Sequence, residues 1–158
     1  MPLEIKVAQR LMRARKTLSI AESCSGGLLA HRLTNIPGSS EFFKLGVIAY
    51  SYESKRDILK IPAPILKKYG AVSPQVVELL AKHVRTLQKT DFGIGITGIA
   101  GPGGATAQKP VGLVYIALST KKGTLVKKCL FKGRRTQVKK KTSDKALKLL
   151  LNLLEASR

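Results

Sequence analysis

Residues 22–27, which read ESCSGG, group side chains and backbone that could carry out chemistry together. They place the hydroxyls of Ser23 and Ser25 between a predicted strand and a predicted helix. Paired glycines let the backbone approach a ligand closely, and a helix N-terminus supplies unpaired N–H groups. Such a turn can present a nucleophilic serine beside an oxyanion hole. A structural tight turn with a serine cap is the alternative interpretation.

Lys55 is the residue that the sequence offers as a base for such a serine. His31 and His83 are the two histidines of the chain, and both fall within predicted amphipathic helices. A Ser-Lys pair is therefore favoured over a Ser-His-Asp triad. A lysine accepts a proton only when it is neutral, so burial or positive neighbours must lower its pKa. The alternative for Lys55 is a solvated surface residue just past a strand end.

Two further segments are rich in glycine or in basic residues. Residues 98–112 follow a predicted buried strand but contain neither a P-loop nor a dinucleotide-binding glycine motif. They could contact a flat polar ligand through the backbone or form a plain flexible loop. Residues 133–141 read GRRTQVKKK and lead into a predicted helix, where arginine can hold a phosphate. A solvated basic face is the other interpretation of that run.

The elements that must position these segments alternate between helices and strands, which predicts an α/β fold. We expect a three-layer α/β/α sandwich with a mixed, mostly parallel sheet, in a single domain over residues 1–158. Ligands of such sheets bind beyond the strand ends. The spacing of apolar and turn-forming residues predicts helix 3–15, strand 17–21, helix 28–34, strand 47–52, helix 53–58, helix 74–87, strand 92–97, strand 111–120, strand 124–131 and helix 136–155.

Composition and charge argue against a membrane-spanning, an exported and a disulfide-rich protein. The sequence contains no apolar run near the roughly 18 residues of a membrane span and no signal peptide, which predicts a soluble cytoplasmic protein. Cys24 and Cys129 are too few for a disulfide framework or a four-ligand zinc site, so free thiols are expected. The formal net charge is +20, and residues 101–158 hold 14 lysines and arginines against two acids. With 5% aromatic residues and no tryptophan, base-stacking surfaces would be sparse, so nucleic acid is not an expected partner.

These segments together resemble the CinA C-terminal domain family, whose stand-alone members are the PncC-type nicotinamide-nucleotide amidases. The resemblance covers residues 5–155, nearly the whole chain. Each motif alone would be weak evidence of kinship. Several motifs in the same order as in the family make the resemblance specific. The motifs are AESCSGG at 21–27, the turn at 38–40, YSYESK at 50–55, YGAVS at 69–73, TGIAGPGG at 97–104, KPVG at 109–112 and GRRTQV at 133–138.

The resemblance implies an enzyme that hydrolyses the carboxamide of nicotinamide mononucleotide to nicotinate mononucleotide and ammonia, in pyridine nucleotide salvage. It implies that Ser23 is the nucleophile and Lys55 the base, and that Arg135 and Lys139 hold the substrate phosphate. It implies no metal and no cofactor. The remaining residues expected to line the oxyanion or substrate site are Ser25, Gly26, Gly27, Tyr50, Thr97, Gly98 and Gly101.

Three residues depart from the family pattern. Ser25 stands where the family has threonine, Tyr52 where it has asparagine, and Arg134 where it often has aspartate. The alternative function is a catalytically silent module that binds a nucleotide or nucleic acid through its basic C-terminal third. The expected partner is the nucleotide substrate, and no membrane association is expected. A homo-oligomer is possible.

Overall fold

A computed structural model describes the chain from Met1 to Ser157, where helices and strands alternate as the apolar spacing predicts. No helix in that range is long and apolar enough to cross a bilayer. In chain order the elements are α1 (Leu3–Ala14), β1 (Leu18–Glu22), α2 (Leu28–Thr34), a short 3-10 helix (Ser39–Glu41), β2 (Phe43–Ile48), α3 (Tyr52–Asp57), α4 (Ala63–Tyr69), α5 (Pro74–Gln88), β3 (Phe92–Gly98), β4 (Leu113–Thr120), β5 (Gly123–Leu130) and α6 (Arg135–Ala156).

The strands of the described range form one mixed sheet in the order β2-β1-β3-β4-β5. β1 pairs in parallel with both β2 and β3, whereas β4 pairs antiparallel with both β3 and β5. The α/β class and the mixed sheet are confirmed, but the sheet is not mostly parallel by pairing. The hairpin that carries β4 and β5 places β4 between two strands that run the opposite way. The antiparallel pairings are also the longer ones.

Helices cover both faces of the sheet, which confirms the three-layer arrangement. α1, α2 and α6 pack on one face, where Leu11, Leu29 and Leu150 are fully buried. α4 and α5 pack on the other face, where Leu66 and Leu80 are buried. α5 lies very close to β3, because a Cβ atom at position 93 would stand 2.3 Å from the Ala81 carbonyl oxygen and only glycine fits there.

The second strand lies about four residues earlier than predicted, over Phe43–Ile48 instead of residues 47–52. Its residues alternate between half-buried and exposed, as expected for an edge strand. The chain leaves the sheet at Ala49 because Ser51 caps α3, its Oγ accepting from the Ser54 N–H at 3.0 Å. Lys55 is therefore carried on a short helix just beyond the strand.

The carboxyl ends of β1, β2 and β3 lie at the same edge of the sheet, because these neighbouring strands are parallel. Residues 23–27, 49–55 and 99–101 follow directly after them. Crevices at this edge of an open α/β sheet are where ligands bind. The fold thus brings together the segments that the sequence singles out.

Candidate active site

Ser23 and Lys55 lie side by side at this edge. The Lys55 Nζ is 3.0 Å from the Ser23 Oγ. Ser23 follows β1 directly and Lys55 belongs to α3, so two separate elements place them. Lys55 is 1% exposed and Ser23 is 8% exposed, so solvent hardly reaches the pair. The arrangement is a hydroxyl in contact with a buried amine.

Burial makes the neutral amine of Lys55 easier to reach than that of an exposed lysine. Burial lowers the pKa of Lys55 to about 8, because water no longer stabilises the ammonium. Nζ also lies 2.7 Å from the Ala49 carbonyl oxygen and 3.2 Å from that of Tyr50. A neutral amine has two N–H groups to donate to these carbonyls and one lone pair. That lone pair can accept the proton of Ser23, as a general base must.

In the turn after Ser23, some backbone N–H groups form hydrogen bonds within the turn and others form none. The Gly26 N–H donates to the Ser23 carbonyl at 3.0 Å, and the Leu28 N–H donates to the Ser25 carbonyl at 3.1 Å. Among the described residues, the N–H groups of Ser25 and Gly27 have no acceptor. Gly27 has a φ of 94°, in the left-handed region that favours glycine. The turn thus offers two donors to an incoming oxyanion.

Glu22 holds the first turn of α2 in place. Its side chain is buried, and its two carboxylate oxygens accept from the N–H groups of Leu29 and Ala30, each at 3.0 Å. A carboxylate at a helix N-terminus also offsets the positive end of the helix dipole. In the sequence, Glu22 is recognisable only as part of the ESCSGG motif. Its signal is an acidic residue ending an otherwise buried strand just before a helix.

Cys24 and Ser25 fill the space next to the nucleophile. Burial raises the pKa of the Cys24 thiol to about 12, so the thiol is neutral and does not compete with Ser23. The Ser25 Oγ is fully buried, and nothing between Met1 and Ser157 hydrogen-bonds to it. Buried hydroxyls normally have a partner. The Ser25 hydroxyl is therefore free to bind a ligand atom or a water.

Arg135, the first residue of α6, joins two loops of the site. Its Nη1 donates to the Gly101 carbonyl oxygen at 2.7 Å, and its Nη2 donates to the Tyr50 hydroxyl at 2.9 Å. The Tyr50 carbonyl in turn accepts from Lys55. A guanidinium carries five N–H donors, so these two contacts leave others for an anion. Arg135 and Lys55 are thus connected through a single tyrosine.

Lys139 lies over the glycine turn, one helical turn after Arg135. A Cβ atom at position 26 would stand 3.3 Å from the Lys139 Nζ. Arg134 is exposed, and its backbone N–H donates to the Gln137 Oε1 at 2.8 Å. A cavity of about 490 Å³ lies beside Lys139, and its lining residues are Glu4, Leu28, Arg32, Thr136, Lys139 and Lys140.

Thr97 and Gly98 support the site from within the sheet. The Thr97 Oγ1 donates to the Ala71 carbonyl at 2.9 Å. A Cβ atom at position 98 would stand 2.7 Å from the Leu113 carbonyl oxygen, so Gly98 permits the close pairing of β3 with β4. Both residues reach the same edge as Ser23, but their observed contacts are to the protein itself.

The segment 69–73, which connects α4 to α5, is fastened to the site by three side chains. Besides Thr97, Lys109 donates from Nζ to the Tyr69 carbonyl at 2.7 Å. The Tyr52 hydroxyl accepts from the Ala71 N–H at 3.3 Å. The tyrosine that departs from the family pattern therefore links α3 to the segment 69–73.

Comparison with protein families gives a match over nearly the whole chain. A family model described as the CinA C-terminal domain matches residues 1–154. A CinA-like protein of Desulfovibrio desulfuricans is 47% identical over 151 residues, covering 94% of this chain and 36% of that protein. The chain spans about a third of the length of the curated relatives it matches.

Solved structures match the fold equally well. The competence damage-inducible protein A (ComA) from Klebsiella pneumoniae is 33% identical with a TM-score of 0.94, covering 97% of this chain and 95% of that one. The competence/damage inducible protein CihA from Agrobacterium tumefaciens is 35% identical with a TM-score of 0.91, covering 97% and 96%. The architecture of the present chain is shared by these proteins.

Proposed function

This chain belongs to the CinA C-terminal domain family, and from that premise we propose that it is an amidohydrolase that converts nicotinamide mononucleotide to nicotinate mononucleotide and ammonia. The observation that carries the proposal is the buried contact of 3.0 Å between the Ser23 Oγ and the Lys55 Nζ. The matching proteins are named for competence and damage induction. The Ser-Lys contact supports amide hydrolysis, and the resemblance of the sequence motifs supports nicotinamide mononucleotide as the substrate.

The proposed reaction begins with attack by Ser23 on the carboxamide carbon. Its proton passes to the neutral Lys55, and the N–H groups of Ser25 and Gly27 donate to the oxyanion that forms. Lys55 then returns the proton to the departing nitrogen, which leaves as ammonia. Water attacks the acyl-enzyme ester, its proton passing through Lys55, and nicotinate mononucleotide and free Ser23 are released.

Arg135 and Lys139 supply the proposed phosphate site. Both belong to the first two turns of α6, and contacts with Gly101, Tyr50 and the glycine turn bring them to the edge that holds Ser23. Arginine and lysine are the side chains that most often bind phosphate. An anion held there would fix the mononucleotide while its nicotinamide ring enters the site.

The proposed setting is pyridine nucleotide salvage in the cytoplasm, with the mononucleotide as substrate and no cofactor. A Ser-Lys hydrolase needs only water as a co-substrate, so the proposed reaction requires no cofactor. Cys24 and Cys129 are free thiols, as expected in a reducing compartment.

The test is ammonia release from nicotinamide mononucleotide by the wild type, Ser23→Ala and Ser25→Ala. We expect Ser23→Ala to lower turnover at least about 1,000-fold, because no nucleophile is left. Ser25→Ala removes the same kind of atom two residues away and is expected to keep measurable activity.

Circular dichroism and thermal unfolding verify that both variants fold. Near wild-type turnover by Ser23→Ala would refute the covalent mechanism. Nucleotide binding by the wild type without ammonia release would instead identify a catalytically silent nucleotide-binding module.

A further inference from the structure

Five lysines gather along the open edge of the sheet, at β5 and the side of α6 next to it. We call Lys127, Lys132, Lys141, Lys145 and Lys148 the lysine band. β5 is the last strand of the sheet, so its outer edge faces solvent. Lys145 is half-buried and the other four are exposed. None of the five has a part in the proposed amidase site.

The register of the sheet turns Lys127 towards α6. Lys127 pairs with Ile116, and Cys129 pairs with Val114. Ile116 and Val114 belong to the core that lies under α6. Side chains of paired residues lie on the same face of a sheet, so Lys127 and Cys129 also lie on the α6 side. The strand and the helix thus contribute cations to one surface.

On α6, Lys141, Lys145 and Lys148 are spaced i, i+4 and i+7, so they share one face of the helix. The lysines of β5 and those of α6 come close to each other at Cys129. Burial raises the pKa of the Cys129 thiol, and the nearby charges of Lys145 and Lys127 partly oppose this increase. Lys141 also donates from Nζ to the Lys132 carbonyl. The five lysines therefore lie on neighbouring segments: β5, the turn that follows it, and one face of α6.

The band has no acidic counterpart. Within the part of the chain that the structure describes, none of its five lysines forms an ion pair. Asp144 is held by Arg32 and Lys140, and Glu155 by Arg10. Like charges at i and i+4 destabilise a helix. The arrangement therefore costs stability unless a polyanion offsets the repulsion.

We propose that the lysine band binds the phosphate backbone of nucleic acid. This differs from the sequence-based expectation, which considered base stacking and not backbone contacts. From Lys141 to Lys148 the basic face of α6 extends about 10 Å, long enough to face more than one phosphate of one strand. Lysines that contact phosphates bind without reading sequence. The band contains no aromatic side chain on which bases could stack, so binding is independent of base composition.

An acidic membrane surface fits the band less well. Helices that lie on membranes bury an apolar face among the lipids. The apolar face of α6 is already buried against the sheet through Val138, Ala146 and Leu150. What remains for a partner is charge along a rigid strand and helix, which suits a linear polyanion.

The experiment measures binding of a fluorescein-labelled 20-base-pair duplex by anisotropy over a series of salt concentrations. The test variant combines Lys141→Gln, Lys145→Gln and Lys148→Gln. The control variant combines Lys60→Gln, Lys67→Gln and Lys68→Gln. These substitutions remove the same charge from exposed positions on or just before α4, which packs on the other face of the sheet. Equal net charge in the two variants separates the band from the overall charge of the protein.

We expect the band variant to bind the duplex at least about 10-fold more weakly at 100 mM salt, with a salt slope smaller by about 2–3. The control variant should stay within about 3-fold of the wild type. Duplexes of different base composition should bind alike, and vesicles with 30% phosphatidylserine should bind more weakly than the duplex.

Equal losses in the two variants would overturn the proposal, because they would reflect net charge alone. Unchanged binding by the band variant would also overturn it, as would binding of vesicles but not of DNA. Ammonia release by the band variant is expected to match the wild type, so this outcome is separate from that of the amidase proposal.

Discussion

At the scale of single residues, Lys55 meets two demands that conflict for an ordinary lysine. It must lie buried against Ser23, and it must be partly neutral near physiological pH. Burial serves both, because it lowers the pKa to about 8 while the carbonyls of Ala49 and Tyr50 fix the direction of the amine. A free lysine, with a pKa of about 10.4, would be almost wholly protonated at pH 7.

Activity should therefore rise with pH as Lys55 loses its proton, with a midpoint near 8 in kcat/KM. Lys55→Arg should be nearly as inactive as Lys55→Ala, since a guanidinium keeps its charge and accepts no proton. The measurement is the pH-rate profile from pH 6 to 10, with Lys60→Arg as an exposed control that leaves the profile unchanged. Substantial activity in Lys55→Arg would mean that position 55 supplies only charge and that another group is the base.

Arg135 allows the phosphate role to be separated from a structural one. Arg135→Ala should raise KM for nicotinamide mononucleotide about 10-fold or more, because a charge-assisted contact is lost. Nicotinamide riboside, which lacks the phosphate, should be a poor substrate that the substitution hardly affects. Tyr50→Phe is the control, since it removes a hydrogen-bond partner of Arg135 without removing charge. Equal losses on both substrates would show that Arg135 braces the loops and does not bind the phosphate.

At the scale of elements, the connection from β1 to α2 depends on one buried carboxylate. Glu22→Gln leaves a single side-chain oxygen for two N–H groups and points an NH₂ group at the other. We expect a loss of about 1–3 kcal/mol in the free energy of unfolding and a lower kcat, because Ser23 is anchored by the same turn. Urea unfolding and turnover measure both effects. Glu41→Gln, at an exposed acid, should change neither, and a Glu22→Gln protein as stable and active as the wild type would contradict this view.

The elements that the sequence predicts well are those with a clear start or stop. The helix over 28–34 and the helix that begins at Pro74 were predicted at their observed starts, because glycine, serine and proline mark them. β2 was misplaced because Ala49 extends the apolar run beyond the end of the strand. Ala49 is buried in the core on the α4 and α5 side of the sheet. α4 was missed because Pro62 and Pro64 look like helix breakers, although proline is tolerated in a first turn.

In the site, the sequence predicts the side chains but not the main-chain groups that orient them. Ser23 and Lys55 are predicted as a pair from their side chains and motifs, and the structure brings the two side chains to 3.0 Å. The partners that orient Lys55 are the carbonyls of Ala49 and Tyr50. Main-chain groups carry no signature of residue type, so folding alone reveals them. The same reason hides the Gly101 carbonyl that receives Arg135.

At the scale of the whole molecule, the chain has nine aspartates and glutamates against 29 lysines and arginines. Each acid that forms an ion pair therefore contributes to stability by offsetting repulsion among the cations. Arg32 on α2 is the clearest case. It donates to the Glu4 Oε2 on α1 at 2.8 Å and to the Asp144 Oδ1 on α6 at 2.7 Å. A third hydrogen bond, also 2.7 Å, reaches the Ser143 hydroxyl. One half-buried side chain thus ties together the three helices of one layer.

This network should govern the response of stability to acid. The hydrogen bond from Arg32 lowers the pKa of Glu4, and those from Arg32 and Lys140 lower that of Asp144 against the opposing effect of burial. A carboxyl whose pKa is lowered by folding stabilises the fold above its unfolded value, and the contribution is lost as pH falls through the folded value. We therefore expect the free energy of unfolding to decrease as the pH falls below about 4.5.

Arg32→Met should test that origin, because it leaves Glu4 and Asp144 without their shared cation. Urea unfolding at pH 7 should show a loss of about 1–3 kcal/mol relative to the wild type. The difference between the two proteins should shrink as the pH falls below about 4.5, since protonation progressively removes the carboxylates that Arg32 binds. Arg56→Met, which breaks the exposed pair with Asp57, is the control and should follow the wild-type curve. If Arg32→Met and the wild type lost stability in parallel on acidification, the acid sensitivity would have to come from carboxylates outside this network.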